Sequence, residues 1–214
     1  MKKKLQIECA VLGMISTNCY FLINTETNET IIVDPADNAS DIRNWCRNNG
    51  RKPAAILLTH GHFDHMLAAD ALRNEFSVRI YAAEAERELL SDPAANLSGQ
   101  WSRPAVLKAD EYLTDGQVLE LAGFQIRAIL TPGHTAGGMC YYLEEEGVLI
   151  SGDTLFQGSY GRVDFPTSSM SEMGRSVRDK LLVLPEDTAV YPGHGESTTI
   201  GYEKAYNPLA QWSR

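Results

Sequence analysis

Cysteine is scarce in this sequence, and no two cysteines stand close together. The four are Cys9, Cys19, Cys46 and Cys140, and none belongs to a Cys-x-x-Cys pair. This scatter argues against a disulfide-stapled scaffold and against a structural zinc site built from thiolates. Scattered free cysteines are typical of core residues in a reducing compartment, so we expect a cytoplasmic protein.

Long apolar runs and an excess of positive charge are also missing. No stretch is long enough to cross a bilayer. The lysine-rich start MKKKLQIECAVLGMIS alternates Leu5, Ile7 and Cys9 with polar residues, as a strand does and a signal peptide does not. With 28 acidic and 19 basic residues the formal charge is −9, which leaves no cationic surface for phosphate backbones. We therefore expect neither a membrane nor a nucleic-acid partner.

Histidine is rare as well, but its placement follows a pattern. Of the five histidines, three share the segment THGHFDH at 59–65 with an aspartate, and two lie in TPGHT at 131–135 and YPGHG at 191–195. Every histidine thus lies in a glycine-containing segment. Three histidines and a carboxylate on one loop need partners, and a metal ion satisfies them all.

The first half of the chain alternates strands with helices. PAAILLT reads as a strand that leads into THGHFDH, and MLAADALRNEF after it has helical composition, so the histidine cluster falls on a strand-to-helix loop. The other predicted elements are strands at 5–11, 18–24 and 30–33, a helix at 40–49, a strand at 77–83, a helix at 83–90 and a long loop at 91–110.

The second half repeats this order. Its predicted strands are VLEL, FQIRAIL, CYYL, GVLI and TAVY. A helix precedes the last of them: Ser169 and Glu172 form a capping box at its start, and Pro185 ends it. We interpret the two β-rich halves, with helices outside, as one domain spanning 1–214 with the fold of a four-layer αββα sandwich.

The donor types in the histidine segment indicate a catalytic metal site. Imidazoles and carboxylates without a thiolate suit zinc, iron or manganese. In an extended loop, His60 and His62 point the same way, two residues apart. Asp64 and His65 can reach a second point where the chain turns into the helix, so one loop can serve two metals.

Three further candidate ligands each follow a predicted strand. His134 and His194 come after Pro-Gly pairs, and Asp153 stands in LISGDTLF directly after an apolar run. We expect these loops to open at one edge of the sandwich. Taken singly, Asp153 also suits a turn, and a lone histidine also suits a structural role.

The order and spacing of these segments resemble the metal motifs of the metallo-β-lactamase superfamily. The matching segments are THGHFDH, the PGH at 132–134, the GDT at 152–154 and the PGH at 192–194. GDTLFQGSYGRVDFP and STTIGYEKAYNP are most similar to the glyoxalase II branch, particularly its short single-domain members. The resemblance extends from about residue 7 to residue 209 and implies the αββα fold.

The resemblance also implies a centre of two divalent metal ions, with zinc expected first and iron or manganese as alternatives. The implied ligands are His60, His62 and His134 for one metal, Asp64, His65 and His194 for the other, and Asp153 as the bridge between them. The commonest zinc β-lactamases carry a cysteine where this chain has Asp153, and they lack a histidine at the position of His65.

This ligand set constrains the reaction. With all five histidines committed to metal, no imidazole remains as general base for a serine or cysteine nucleophile, so water held by two cations must attack the carbonyl carbon. A thiol of pKa about 8.5 leaves without protonation, whereas an amine needs a proton. We therefore expect a hydrolase of small thioesters such as S-acylglutathiones, in which Asp64 and Asp153 are catalytic and Asp64 also shuttles a proton.

Three more residues are candidates for supporting roles. Asp34 in IIVDPAD ends a strand, and the resemblance implies that it supports the first loop; an Asp-Pro turn is the alternative. Arg162 and Tyr160 follow the bridging aspartate and can bind a substrate carboxylate, with a solvated arginine as the alternative. Because the chain stops soon after Pro208, we expect no helical C-terminal domain and weak binding of S-lactoylglutathione.

Other functions compete with this interpretation. A mononuclear iron persulfide dioxygenase of the same superfamily also carries a Gly-Arg-x-Asp-Phe stretch, and metal content and oxygen uptake distinguish it. A lactonase, an RNA-processing nuclease and a non-catalytic binding module are further alternatives. The charge of −9 argues against the nuclease, and the complete ligand set argues against the binding module. The acyl group, the thiol and the oligomeric state are left open.

Overall fold

The computed structural model describes residues 4–101 and 103–211. Residues 1–3, 102 and 212–214 of the predicted 1–214 domain lie outside these ranges. The described chain forms two six-stranded sheets whose outer faces carry helices, which confirms the predicted αββα architecture.

The first sheet contains the strands of the first half in their chain order. They are β1 (Leu5–Leu12), β2 (Thr17–Asn24), β3 (Glu29–Val33), β4 (Lys52–Leu57), β5 (Arg79–Ala83) and β6 (Glu111–Leu113). The pairs β1–β2 and β2–β3 are antiparallel because tight turns join them, and the pairs from β3 to β6 are parallel. Parallel strands put their carboxyl ends at the same edge, which brings the loops after β3 and β4 together.

The strands of the second sheet are β7 (Val118–Leu121), β8 (Phe124–Leu130), β9 (Met139–Leu143), β10 (Val148–Gly152), β13 (Ala189–Pro192) and β14 (Thr198–Thr199). Their order in the sheet is β14-β13-β10-β9-β8-β7, and only the β10–β13 pair is parallel. A two-stranded ribbon leaves the sheet after β10; its strands are β11 (Leu155–Phe156) and β12 (Ser159–Tyr160).

The helices lie on the outer faces or at strand ends. They are α1 (Ala39–Asn48), α2 (Phe63–Met66), α3 (Ala69–Phe76), α4 (Arg87–Ser91), α5 (Met170–Arg175) and α6 (Ile200–Tyr206). The hydroxyl of Ser169 accepts the backbone N–H of Glu172 at 3.3 Å, so the predicted helix start is confirmed. Beyond α5 the chain continues as a π-helical segment, Ser176–Leu181. None of the helices in the described ranges has the length and apolar character that crossing a bilayer requires.

Side-chain alternation along the strands produces three apolar layers. On β2, Tyr20 and Leu22 point between the sheets, whereas Phe21 and Ile23 point toward α1 and α3. A third layer joins the second sheet to α5 and the π-helical segment through residues such as Met173. Both faces of each sheet are therefore buried, and the polar strand ends remain as the place for a site.

Candidate metal centre

The candidate site lies at one edge of the two sheets, where strands from both halves end. The residues carried there are Asp34 after β3, the segment His60–His65 after β4, His134 after β8, Asp153 after β10 and His194 after β13. His62 is extended (φ −67°, ψ 148°) and begins α2, so Asp64 and His65 fall in the first turn of that helix. The chain changes direction between the two pairs of donors, as predicted.

Three imidazoles form the first group. One nitrogen each of His60, His62 and His134 lies within 4.8 Å of the others. Nδ1 of His62 is 2.9 Å from Nε2 of His134, and all three side chains are buried. Three ring nitrogens thus converge on one point.

Two imidazoles and a carboxylate form the second group. Oδ2 of Asp64 lies 3.5 Å from Nε2 of His65 and 3.4 Å from Nε2 of His194. Ligands about 2.05 Å from a tetrahedral metal ion stand about 3.3 Å apart, so these spacings suit a shared ion.

Asp153 touches both groups. Its Oδ1 lies 3.5 Å from Nε2 of His65, and its Oδ2 lies 3.5 Å from Nε2 of both His134 and His194. This carboxylate occupies the place that a bridging ligand needs.

Several donor atoms in the cluster are buried without a hydrogen-bond partner. They are Nε2 of His60, Nε2 of His62, Nε2 of His65 and Oδ1 of Asp153. Polar atoms removed from water are normally satisfied, and three of these four, on His60, His65 and Asp153, belong to residues whose donor atoms lie within 4.8 Å of one another. The donor set, imidazole and carboxylate without thiolate, fits divalent metal ions, so the residues present fit a dinuclear centre.

Burial keeps two imidazoles of the first group, His60 and His62, neutral. It lowers the pKa of His60 well below the usual value, and with the neighbouring imidazoles it lowers the pKa of His62 to about 3. A neutral imidazole offers the lone pair that a metal needs.

In the second group, the pKa values of His65 and Asp64 are shifted in opposite directions. Burial acts to lower the pKa of His65, but the carboxylates of Asp64, Asp153 and Asp34 raise that pKa to about 10. Burial likewise acts to raise the pKa of Asp64, but the adjacent His65 and His194 hold it well below its usual range. Without a metal ion, Asp64 is therefore ionised and His65 is protonated.

Hydrogen bonds outside the cluster fix the orientation of the rings. Nδ1 of His65 donates to Oδ2 of Asp34 at 2.9 Å, and Nδ1 of His134 donates to the carbonyl oxygen of Arg162 at 2.8 Å. A carbonyl oxygen only accepts, so the proton of His134 lies on Nδ1 and its Nε2 lone pair faces the cluster.

Asp34 also fixes the backbone of the first loop. Its Oδ1 accepts the N–H of Thr59 at 2.8 Å, and its Oδ2 accepts the hydroxyl of Thr59 at 2.6 Å. The side chain is buried, and its φ of 50° turns the chain back toward β4. The structure thus places Asp34 against His65 and the first loop, where the resemblance implied a supporting carboxylate.

Glu86 is a structural contributor that the sequence analysis missed. Its carboxylate is buried and accepts the N–H of Gly61 at 2.6 Å and the N–H of Gly137 at 2.8 Å. It therefore ties the loop of His60 to the loop that follows β8. A signal was present, because Glu86 shares the helical face of the apolar Leu89 and Leu90 at i+3 and i+4.

A cavity of about 420 Å³ opens onto the cluster. Arg162 lies at its wall, where it forms an ion pair with Asp164, and the loop predicted at 91–110 contributes Leu97 and Gln100. Tyr160 packs with the third apolar layer instead and is not among the residues that line the cavity. The structure therefore brings Arg162, but not Tyr160, to the cavity beside the cluster.

This fold and this cluster define the class of protein. The family model described as the metallo-beta-lactamase superfamily matches residues 12–194, and the chain belongs to that family. It is a metallo-hydrolase of that superfamily with a candidate centre for two metal ions.

Two relatives are similar to this chain over nearly their whole length. The probable metallo-hydrolase YqgX of Bacillus subtilis is 37% identical over 200 residues, which cover 92% of this chain and 94% of YqgX. The hydroxyacylglutathione hydrolase GloC of Haemophilus influenzae is 34% identical over 211 residues, which cover 96% of this chain and 98% of GloC.

Solved structures share the whole fold. The BLEG-1 B3 metallo-β-lactamase superposes with a TM-score of 0.92 at 40% identity, covering 97% of this chain and 100% of its own. TTHA1623 in a di-iron-bound form gives a TM-score of 0.83 at 33% identity, covering 94% of this chain and 99% of its own.

Proposed function

We propose that the protein hydrolyses thioesters with two divalent metal ions, as glyoxalase II enzymes do, and that S-acylglutathiones such as S-lactoylglutathione are among its substrates. One observation carries the proposal: seven side chains converge in two groups joined by Asp153. The similarity to hydroxyacylglutathione hydrolase GloC supports it.

The proposed ligands fall into the two groups defined by the distances between their donor atoms, and we assign one metal ion to each group. The set is His60, His62 and His134 for the first ion, Asp64, His65 and His194 for the second, and Asp153 between them. Two such ions, when bound, supply a water of near-neutral pKa and polarise a carbonyl oxygen. Zinc is proposed first, and the di-iron form of TTHA1623 keeps iron as an alternative.

The protein's own groups explain why a thioester is preferred. All five histidines lie in the cluster, so no imidazole is left to protonate a departing amine. A thiolate leaves without that help. Asp64 is the proposed proton carrier: its Oδ2 accepts the hydroxyl of Thr17 at 3.0 Å, which aims the carboxylate at the cavity that it lines.

A second candidate function is hydrolysis of β-lactams. A structure described as a B3 metallo-β-lactamase shares 40% of the sequence and superposes over nearly the whole chain. Water activated at the same proposed metal centre would attack the lactam carbonyl, but the ring nitrogen that leaves then has to be protonated. The relative rates of thioester and β-lactam hydrolysis therefore depend on how readily the leaving group departs.

The test measures metal and activity together. We expect about two metal ions per chain by elemental analysis, and a kcat/KM for S-lactoylglutathione and simple acyl thioesters far above that for penicillin, cephalosporin and carbapenem substrates. Asp153→Ala should lose most of the metal and the activity. The control is Asp187→Asn, which replaces an exposed aspartate after the π-helical segment and should change neither.

Three results would overturn the proposal. Comparable kcat/KM for a matched amide and thioester would show that the leaving group is not decisive, and lactam turnover above thioester turnover would establish the second candidate. A single iron per chain with rapid oxygen consumption would establish a persulfide dioxygenase instead.

We also propose a cytoplasmic location. All four cysteines are free, and three of them are buried. Free thiols persist where the surroundings are reducing, so thiol labelling of the denatured protein from fresh cell extract should modify all four.

A further inference from the structure

The cavity beside the metal centre has apolar walls. Besides metal-centre residues, its lining includes the apolar side chains Ile15, Phe63, Leu97, Phe156 and Phe165. They come from separate segments: the β1–β2 turn, the start of α2, the loop after α4, the ribbon and the segment before α5. The site is thus surrounded on several sides by groups that favour apolar contact.

Two of these rings flank the metal-binding histidines. The Phe165 ring is 5.4 Å from the ring of His62 and 5.9 Å from that of His134, measured between centroids. The Phe156 ring stands 6.2 Å from the ring of His194. An acyl group whose carbonyl carbon lies at the cluster must therefore extend along aromatic surface.

The cationic side chain at the cavity is already paired with a carboxylate of this chain, in an ion pair whose partners are both exposed. Apart from the metal-centre histidines, Arg162 is the one basic side chain among the described lining residues, and it donates to both carboxylate oxygens of Asp164, at 2.9 and 2.8 Å. Its guanidinium also lies 4.2 Å from the centre of the Phe165 ring. An anionic acyl group would have to displace Asp164 or lose its hydration against the apolar walls.

We infer, resting on the proposed function, that this cavity selects uncharged, apolar acyl groups, aliphatic or aromatic, over hydroxylated or carboxylated ones. At about 420 Å³ it falls at the small end of ligand sites, which suits a short or medium chain. The hydroxylated lactoyl group is then accepted but is not the best acyl group for this site.

The activity test uses the metal-loaded enzyme and thioesters of one neutral thiol, N-acetylcysteamine. From acetyl to butyryl to hexanoyl we expect kcat/KM to rise about fourfold per methylene until the cavity is filled, which corresponds to about 0.8 kcal/mol for each buried CH₂. The succinyl and lactoyl thioesters should fall below butyryl. A flat series, with all the thioesters hydrolysed, would overturn the inference and leave the proposed function standing.

Substitutions of residues in the cavity wall test whether these residues cause the dependence of kcat/KM on acyl chain length. Phe156→Ala and Ile15→Ala should each flatten the chain-length dependence; Ile15 is 38% exposed, so its replacement leaves folding intact. Phe76→Ala is the matched control, because Phe76 packs between α3 and the first sheet, away from the cavity. An unchanged slope in both wall variants would contradict the assignment.

A binding measurement separates the inference from catalysis. Calorimetry with non-hydrolysable S-alkyl thioethers of N-acetylcysteamine should show affinity that rises with chain length and falls in Phe156→Ala. If affinity rises while no thioester is hydrolysed, the proposed function fails and the apolar selectivity stands. If affinity does not depend on chain length, the selectivity is refuted.

The ion pair at the cavity has its own test. Asp164→Asn releases Arg162 and should raise kcat/KM for succinyl relative to butyryl thioester at least severalfold. Asp179→Asn is the control, since Asp179 pairs with Arg178 in the π-helical segment. An unchanged ratio in Asp164→Asn would show that the pair does not restrict access to the guanidinium.

Discussion

Asp34 shows how a residue outside the ligand set can decide whether a ligand is usable. Its Oδ2 accepts Nδ1–H of His65, which leaves Nε2 of His65 as the nitrogen directed at the cluster and available to a metal ion once it is deprotonated. The same carboxylate holds Thr59 through two hydrogen bonds. Tautomer and loop position are thus fixed by one buried group.

The first prediction concerns this carboxylate. In Asp34→Asn the amide nitrogen can face His65 and donate to Nδ1, which moves the ring proton to Nε2 and blocks the metal-binding atom. We expect metal affinity to fall about 10- to 100-fold, measured by competition with a chelator. Asp41→Asn, an exposed change in α1, should keep the native affinity, and equal affinities for the two variants would contradict this role.

Glu86 acts on the backbone instead of on a ring. It accepts N–H groups from Gly61 and Gly137, which belong to the two loops that carry the first group of histidines. Since the carboxylate is buried, bulk water does not compete with it for these two N–H groups.

A second prediction follows for Glu86→Gln. The amide can accept one of the two N–H groups but presents its own N–H to the other, so one buried donor loses its partner. We expect the free energy of unfolding in urea to fall by about 1–3 kcal/mol, with lower metal occupancy. Glu88→Gln, two residues along and exposed, is the control. Stability equal to that of the control would refute the bridging role.

At the scale of elements, α5 holds the loop of His134 in place. The N–H of Ser169, just before α5, donates to the carbonyl oxygen of Gly133 at 2.8 Å. Gly133 has φ 151°, and a Cβ at this position would stand 2.5 Å from Cα of Met173. Glycine is therefore required by the close approach of helix and loop.

The third prediction is that Gly133→Ala separates α5 from this loop. We expect about 1–3 kcal/mol of lost stability, as overpacking costs, together with reduced metal content. Gly147→Ala isolates backbone strain, because Gly147 has φ 66° with nothing within 4 Å of an added Cβ. A metal content as high in Gly133→Ala as in this control would argue against the contact.

Long strands and the helix capped by Ser169 were predictable, whereas short elements were not. The alternation in the first strand, the apolar runs of the next two and the Ser169 cap gave bounds close to those observed. The strands β6, β11, β12 and β14 have two or three residues, too few for periodicity to register, and α6 was not predicted either. The predicted helix at 83–90 instead begins as a 3₁₀ turn at Glu84–Glu86, and the π-helical segment after α5 was not predicted.

The metal-binding side chains were suggested by the sequence because histidine is rare and clustered. Contacts between individual side chains left weaker signals in the sequence. The pairing of Arg162 with Asp164 follows the i, i+2 spacing of an extended segment, which places both on one side, yet it was not foreseen. Tyr160 could not be placed, since its direction depends on which face of the ribbon meets the third apolar layer.

At the scale of the whole molecule, the proposed metal ions connect the two halves. His60, His62, Asp64 and His65 extend from the first sheet, and the other three proposed ligands extend from the second. A metal ion bound only by the folded state stabilises it according to its free concentration. With the proposed ions bound, the cluster would cross-link the two halves as well as form the proposed reaction centre.

The fourth prediction is that chelation lowers the thermal unfolding midpoint and that zinc or ferrous iron restores it. At free metal about 1,000 times the dissociation constant, one site contributes about 4.1 kcal/mol. Magnesium is the control, since it prefers oxygen ligands in an octahedral arrangement and should not restore the midpoint. A midpoint that chelation leaves unchanged would mean that the cluster does not bind metal tightly.

The spread of the cluster along the chain also orders events during synthesis. The segment with His60, His62, Asp64 and His65 leaves the ribosome long before His194, which follows β13. The emerging chain therefore presents four candidate metal ligands before the second sheet has formed. If the cluster binds metal as proposed, an ion bound at that stage would lack the ligands of the second sheet, and the full ligand set would form only when β13 pairs with β10. Selection of the metal would then depend on the ions available at this late step of folding.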